Sequence, residues 1–314
     1  MLYQLSYAPD RPKPCTRPGG IQGLASPGIG DSFAGIPISE HPVHARLPAL
    51  IACIALVSSP ATLPGQSVWL SPTPPAALRI VRETARFGTA AAHLANEKAW
   101  VTTLRSRKVP YSYVGAVAAS GAPEFWFFGG ADTFAGLEHI DQSYQGDPSL
   151  AKQLDTLMAR EAAFVTDAQT ILATYRADLS YQPVFIQPET RHFWVSTFTV
   201  RPGQEEAFNA VMKAYVAGYK AAKVSASWVT YQLVAGGASP TYYLIMPMES
   251  YDAIDQDLAS MASVGSKIPS PTMIAAQFSA STERVDTQVL TVSPQISYVP
   301  ADFANQDKGF WQAK

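Results

Sequence analysis

The chain has 314 residues, of which 47% are hydrophobic and 15% charged, so it can bury one or two sizeable cores. The formal net charge is −2 and there is no run of Lys or Arg, which excludes the basic surface that attracts a phosphate backbone. Nucleic acid is therefore not an expected partner. Cys15 and Cys53 are the only cysteines, and both lie near the N-terminus. No disulfide or thiol chemistry is expected after them.

The N-terminal segment has the pattern of a piece that is removed from the mature protein. Residues 1–42 are rich in Pro, Gly and Ser without periodicity, and we interpret them as a non-native or disordered leader. Residues 43–61 place His44 and Arg46 before a short apolar run and small residues, the order of a secretory signal peptide. Because the run is too short to span a membrane, the sequence predicts a periplasmic or secreted protein without a span, and a linker over 62–77.

The rest of the chain contains an internal duplication. The stretch "TARFGTAAAH" is echoed by "TVRPGQEEAF", with Gly203 lying 115 residues after Gly88. The separation becomes 117 residues after an insertion in a Gly-rich turn, and it then relates "SYQP" to "SYVP". These matches predict repeat 1 over residues 78–190, repeat 2 over 191–300 and a C-terminal tail over 301–314.

Each repeat is predicted to begin with a strand, a glycine turn and a helix. Repeat 1 has the strand "LRIVRETA", a helix from about Thr89, the hairpin strands "YSYVGAVAA" and "EFWFFGG", and a helix "TFAGLEHI" capped by Asp132. A long amphipathic helix then runs from Asp147 to Tyr175. Repeat 2 follows with "FWVSTFTV", a helix, the hairpin "SWVTYQLVA" and "TYYLIMPM", and the helix "YDAIDQDLASMA".

The pattern "FTVRPGQEEAFNAVMKAYVAGYK…WVTYQLVAGG…TYYLIMPMESYDAI" resembles the dimeric α+β barrel superfamily, which includes antibiotic-biosynthesis-monooxygenase-like and NIPSNAP-like proteins. The resemblance implies an α+β fold in which two tandem ferredoxin-like β-α-β-β-α repeats pair their antiparallel sheets as an intramolecular pseudo-dimeric barrel. It implies a monomer or a homodimer, and it brings no catalytic signature. Haem proteins of this superfamily typically ligate iron through a late histidine, and none follows His192 here, so no cofactor is expected.

Differences between the repeats indicate a candidate site in repeat 1. On the first helix, a stripe that is apolar in repeat 2 is polar in repeat 1. The repeat 1 residues are His93, Asn96, Glu97 and Trp100, and their counterparts are Phe208, Val211, Met212 and Tyr215. Helical spacing keeps each set on one face. On the first strand, Glu83 takes the place of Phe198, so Glu83 and the helix residues meet if that strand face looks toward the helices.

We predict Glu83, His93 and Glu97 as candidate catalytic residues, because burial and a charged neighbour can tune such groups for general acid/base work. The residues predicted to contact a ligand are Asn96, Trp100, Tyr113 and Trp126. Aromatic strand residues are expected to line a cavity between the two sheets. The alternative is that the polar side chains are solvated and the aromatic ones are sheet core. His93, His139 and His192 have no paired ligand spacing, so no metal site is predicted.

Two functions fit these observations. The first is an exported protein that binds a small apolar or aromatic ligand, or a cofactor-independent enzyme with its polar site in repeat 1. The alternative is a non-catalytic structural or interaction module whose duplication only closes the barrel. The first function requires an open pocket in repeat 1, whereas the alternative requires a filled core.

Overall fold

The computed structural model describes residues 70–312. The predicted leader, the signal peptide and the first half of the predicted linker lie outside the described residues. Within 70–312, no helix combines the length and the apolar character needed to cross a membrane.

The described chain alternates strands and helices in two similar halves. The strands are β1 Ala77–Ala85, β2 Tyr113–Ala118, β3 Glu124–Ala131, β4 Val165–Tyr175, β5 His192–Val200, β6 Val229–Ala235, β7 Thr241–Met248 and β8 Thr282–Val292. The helices are α1 Ala90–Ser106, α2 Phe134–Gln145, α3 Pro148–Glu161, α4 Glu205–Ala222, α5 Asp252–Lys267, α6 Pro271–Ser281, α7 Ala301–Ala304 and α8 Lys308–Trp311.

The strands form one closed antiparallel barrel in the order β1-β3-β2-β8-β5-β7-β6-β4. Repeat 1 supplies the sheet β4-β1-β3-β2 and repeat 2 supplies β8-β5-β7-β6. Pairing of β2 with β8 and of β4 with β6 joins the two sheets, so neither keeps a free edge. The predicted α+β class and pseudo-dimeric ferredoxin-like barrel are confirmed.

The duplication is visible in the backbone geometry as well as in the strand order. Gly88 and Gly203 both adopt a positive φ, +83° and +80°, at the turn from the first strand into the first helix of each repeat. Glycine is the residue that reaches this conformation without a steric cost. The bridge between Tyr113 and Tyr298 is matched by one between Trp228 and Tyr181, so each repeat contacts the other in the same way.

One predicted element is wrong. The long helix from Asp147 to Tyr175 ends at Glu161, and Val165–Tyr175 is the strand β4, which pairs with β1 and β6. Apolar residues occur on both faces of this strand, and such a run resembles a helical stripe. The same strand recurs as β8, so each repeat has a fourth strand that completes its sheet. The helix predicted to be capped by Asp132 is capped instead by Thr133, whose Oγ1 accepts from the Gly136 amide at 3.0 Å.

The barrel interior is a packed core. Its side chains come from both repeats and include Leu78, Ile80, Trp126, Phe128, Phe193, Val195, Tyr231 and Ile245. Phe303 and Trp311 of the two C-terminal helices pack into the same cluster, and the Trp311 indole donates to the Pro188 carbonyl at 2.8 Å. The expected ligand cavity between the two sheets is therefore absent from the described barrel.

Candidate functional site

A cavity of about 890 Å³ lies on the other side of the repeat 1 sheet, between its outer face and helices α1, α2 and α3. The volume falls in the usual range of small-molecule pockets, roughly 300–1,000 Å³. The sheet contributes Arg79, Val81, Glu83, Tyr113, Phe127, Gly129, Ala168, Thr170 and Leu172, and the helices contribute Asn96, Glu97, Trp100, Asp141, Tyr144, Leu157, Met158 and Glu161. Most of the wall is apolar, and the polar groups lie in two clusters.

Repeat 2 fills the equivalent place with larger side chains, leaving a cavity of about 70 Å³. At the positions that correspond to Arg79, Glu83, Gly129 and Asp141, repeat 2 has Trp194, Phe198, Met246 and Leu258. Each of these side chains is bulkier than its repeat 1 counterpart, which contributes to the difference in volume. Repeat 2 therefore serves as an internal reference for what a closed version of this site looks like.

Gly129 and Tyr111 together form part of the cavity floor. The glycine leaves space for the tyrosine ring. A Cβ atom at Gly129 would lie 1.5 Å from the hydroxyl of Tyr111, a clash that only movement of the ring could relieve. In repeat 2, Ala226 corresponds to Tyr111 and Met246 corresponds to Gly129. The large side chain therefore comes from the strand in repeat 2 and from the segment before β2 in repeat 1. The pair Gly129 and Tyr111 thus sets the shape of the floor.

The acidic cluster lies at one end of the cavity and surrounds His93, whose side chain is fully buried. The His93 Nε2 atom is 3.4 Å from Glu83 Oε2, and Nδ1 contacts Glu161 Oε1. Asn96 holds Glu161 in place, because its amide donates to Glu161 Oε2 at 2.5 Å and to the Leu157 carbonyl at 3.1 Å. The edge of the His93 ring packs against Phe125, with 4.1 Å between ring centroids.

Burial dominates the electrostatics of this cluster. Desolvation raises the pKa of Glu83 to about 7; the charge of His93 opposes the shift and that of Glu161 adds to it. Desolvation likewise raises the pKa of Glu97 to about 9, and the charges of Glu83 and Glu161 add to this rise. Burial is the largest cause of both shifts, so the protonated form of Glu97 is favoured at neutral pH.

The second polar cluster is charge-balanced. Arg79 makes a two-pronged ion pair with Asp141, with N–O distances of 2.7 and 2.8 Å. Beside it, burial raises the pKa of Tyr111 to about 12 and raises that of Tyr144 further above its usual value. These phenols stay neutral at physiological pH. This end of the cavity therefore has neutral hydroxyl groups beside an ion pair whose two charges balance.

The structure brings most of the predicted site residues together. Those that line the cavity are Glu83, Asn96, Glu97, Trp100 and Tyr113. His93 lies directly behind Glu83 with no exposed surface, and Asn96 and Glu97 are only 7% exposed, so the alternative of a solvated helix face does not hold. A catalytic role for Glu83, His93 and Glu97 stays a prediction.

Trp126 differs from its expected position. It points into the barrel, 1% exposed, where its indole donates to Glu124 and Arg82 lies 4.4 Å above the ring. Trp126 therefore has no access to the cavity on the outer face of the sheet.

Glu161 and the Arg79–Asp141 pair line the cavity but were not predicted from the sequence. Comparison of the repeats contained the signal: the counterpart of Glu161 is Phe278 and that of Arg79 is Trp194. In repeat 2, Phe198 contacts Phe208 and Phe278, with ring centroids 5.5 and 6.1 Å apart. The three phenylalanines occupy the places that Glu83, His93 and Glu161 occupy in repeat 1.

The fold of this chain is similar to those of several solved structures. The chain aligns with an anthrone oxidase-like protein over 71% of its own length and 93% of that chain, at 13% identity and a TM-score of 0.49. It aligns with a mutant chlorite dismutase from Candidatus Nitrospira defluvii over 71% and 94%, at 9% identity and a TM-score of 0.43. No protein-family model matches the chain, and no curated protein does. At these values the likenesses say nothing about activity.

The strand order by itself defines the class. The chain folds as a closed eight-stranded α+β barrel of the pseudo-dimeric ferredoxin-like kind, built from two repeats of one chain. Within that class, it is a duplicated barrel protein with an open, partly acidic cavity in repeat 1 and a filled counterpart in repeat 2.

Proposed function

We propose that repeat 1 binds a small, flat and largely apolar molecule in its cavity, and that repeat 2 completes the barrel. The observation that carries the proposal is the contrast in volume between equivalent sites, about 890 Å³ against about 70 Å³. A protein that used its duplication only to close the barrel would have no reason to keep one site open, because an unfilled cavity costs stability. The contrast therefore favours ligand binding over the purely structural alternative.

The walls of the cavity indicate the class of ligand. Trp100, Tyr113 and Phe127 offer aromatic surface, which suits a planar molecule. Hydroxyl groups of Tyr111 and Tyr144 at one end, and the carboxyl groups at the other, can hydrogen-bond to polar substituents at the two ends of such a molecule. The proposed ligand is thus an aromatic compound with one or two polar substituents.

Binding of the fluorescent probe N-phenyl-1-naphthylamine tests this proposal, because the probe is neutral, flat and largely apolar. We expect one bound probe per chain, with increased emission. The double variant Gly129→Met and Tyr111→Ala copies the floor of repeat 2, and it should weaken probe binding at least about ten-fold because it moves side-chain volume from position 111 to position 129 and so changes the shape of the floor.

A conservative change in the filled site, Met246→Leu, serves as the control and should leave probe binding unchanged. Circular dichroism and the melting temperature confirm that each variant is folded. Equal probe affinity in the wild type and the folded double variant would place the probe elsewhere and contradict the proposal.

We further propose that the protein is exported, on the basis of the order of basic, apolar and small residues in positions 43–61. Mass spectrometry of the protein recovered from its native host should find a mature N-terminus between Ser59 and Ser67. An intact Met1 in a cytoplasmic fraction would rule out processing of this segment.

A further inference from the structure

Four potential metal ligands converge at the acidic end of the cavity. One donor atom from each of Glu83, His93, Glu97 and Glu161 lies within 4.8 Å of the others. They come from β1, α1 and α3, so the tertiary structure has to bring them together. Since metal-binding motifs are recognised by short, regular spacing, this set has no signature along the chain.

The burial of His93 distinguishes this group from an ordinary acidic cluster. Its side chain is completely buried, and its two ring nitrogens lie against Glu83 Oε2 and Glu161 Oε1 without forming a hydrogen bond of normal geometry. Glu83 Oε2 and Glu161 Oε1 are likewise buried without a hydrogen bond. Buried polar atoms in native proteins nearly always have a partner, and those that do not require an explanation such as an ion. Here the orphaned atoms face one another.

We propose that His93, Glu83 and Glu97 bind a divalent first-row transition-metal ion, with Glu161 as a positioning residue. The Nε2 atom of His93 lies 3.4 Å from Glu83 Oε2. Two ligand atoms that surround a tetrahedral ion at about 2.1 Å are separated by roughly 3.4 Å, so these two atoms already have the required spacing. Imidazole and carboxylate donors together suit ions such as Zn²⁺.

Glu161 supplies the support that a metal-bound histidine needs. Its Oε1 contacts His93 Nδ1, the ring nitrogen that faces away from Glu83. A ligating histidine usually donates its second N–H to a carboxylate, which fixes the ring orientation and strengthens the bond to the metal. Asn96 in turn donates to Glu161 Oε2 at 2.5 Å, so the carboxylate is itself held in place.

The position of the proposed ion connects it to the cavity. Glu83 and Glu97 both line the cavity, whereas His93 lies behind them. Three protein ligands leave at least one coordination position for water or another molecule, the arrangement of catalytic rather than structural zinc sites. In repeat 2 the corresponding residues are Phe198, Phe208 and Met212, so the proposal requires one ion per chain.

Titration of the metal-free, tag-free full chain with Zn²⁺ in a calorimeter tests the proposal. We expect one bound Zn²⁺ per chain. His93→Phe should weaken binding at least about 100-fold because it removes the nitrogen ligand, and Glu97→Gln should weaken it at least about ten-fold while keeping the side-chain volume. Glu161→Gln should also weaken binding, by about 10- to 100-fold, because it removes the carboxylate that contacts His93 Nδ1 and orients the ring.

His139→Ala is the matched control, because His139 is exposed on α2 and is not among the residues that line the cavity. It should leave Zn²⁺ affinity and stoichiometry unchanged. If His93→Phe fails to fold, Glu97→Gln decides the question. Absence of a one-to-one complex, or undiminished affinity in a folded Glu97→Gln variant, would overturn the proposal. The titration uses no organic ligand, so its outcome is independent of the naphthylamine experiment.

Discussion

Replacing the polar cluster of repeat 1 with its repeat 2 counterparts should raise the stability of the metal-free protein. The exchange comprises Glu83→Phe, His93→Phe, Asn96→Val, Glu97→Met and Glu161→Phe. Replacing buried ionisable groups with well-packed apolar residues is often stabilising by about 1–4 kcal/mol, because the desolvation of the charges is no longer required. Repeat 2 demonstrates the packing, since Phe198, Phe208 and Phe278 are all buried and Phe198 contacts both of the others.

Differential scanning calorimetry in the presence of a chelator measures this effect. A gain of 1 kcal/mol corresponds to roughly 2–4 °C in the melting temperature of a domain of this size. The same variant should have lost Zn²⁺ binding. Thr102→Ala, at an exposed position of α1, is the control and should change stability by less than about 0.5 kcal/mol. A melting temperature below that of the wild type, or aggregation, would show that the polar groups are needed for folding.

The reverse substitution, Phe198→Glu, should destabilise the protein by about 3–5 kcal/mol. Phe198 is 1% exposed and its ring contacts Phe208 and Phe278. The glutamate would lose this packing and would place a carboxyl group where repeat 2 has neither a histidine nor an amide to receive it. Urea denaturation followed by tryptophan fluorescence gives the free energy of unfolding.

Two further variants separate lost packing from the cost of the carboxyl group. Phe198→Leu retains an apolar side chain and should cost less than the glutamate. Adding Phe208→His to Phe198→Glu recreates the contact of Glu83 with His93 and should recover part of the loss. A destabilisation of less than about 1 kcal/mol for Phe198→Glu would mean that the site in repeat 2 admits water and is not the closed reference described above.

The repeat and its barrel were predictable because their determinants are local. Strand alternation, the glycine turns at Gly88 and Gly203 and the hairpin residues recur at constant separations, and each copy needs a partner for its sheet. The strand β4 was not predictable in the same way. Ile171 faces the barrel core while Leu172 faces the cavity, so the segment is apolar on both faces and fits a helical stripe equally well. Pairing with β1 and β6 decides its structure.

The polar face of α1 was also predictable, because the second repeat supplies a comparison at every position. Whether Tyr113 or Trp126 reaches the cavity was not, because it depends on strand register. In the register, Tyr113 pairs with Gly129 and Trp126 pairs with Ala116, which puts the two aromatic side chains on opposite faces of the sheet. A shift of β3 by one residue against β2 would put both side chains on the same face.

The sequence by itself determined that the chain is duplicated, that the copies form one α+β barrel, and that the first helix of repeat 1 carries polar groups where repeat 2 is apolar. Only the tertiary structure decided that the barrel interior is filled and that the cavity lies beneath the helices. It alone also brought Glu161 to His93, which are 68 residues apart in the chain. The reason is that local periodicity specifies which face of an element is apolar, whereas the distance between faces of different elements depends on strand pairing and helix docking.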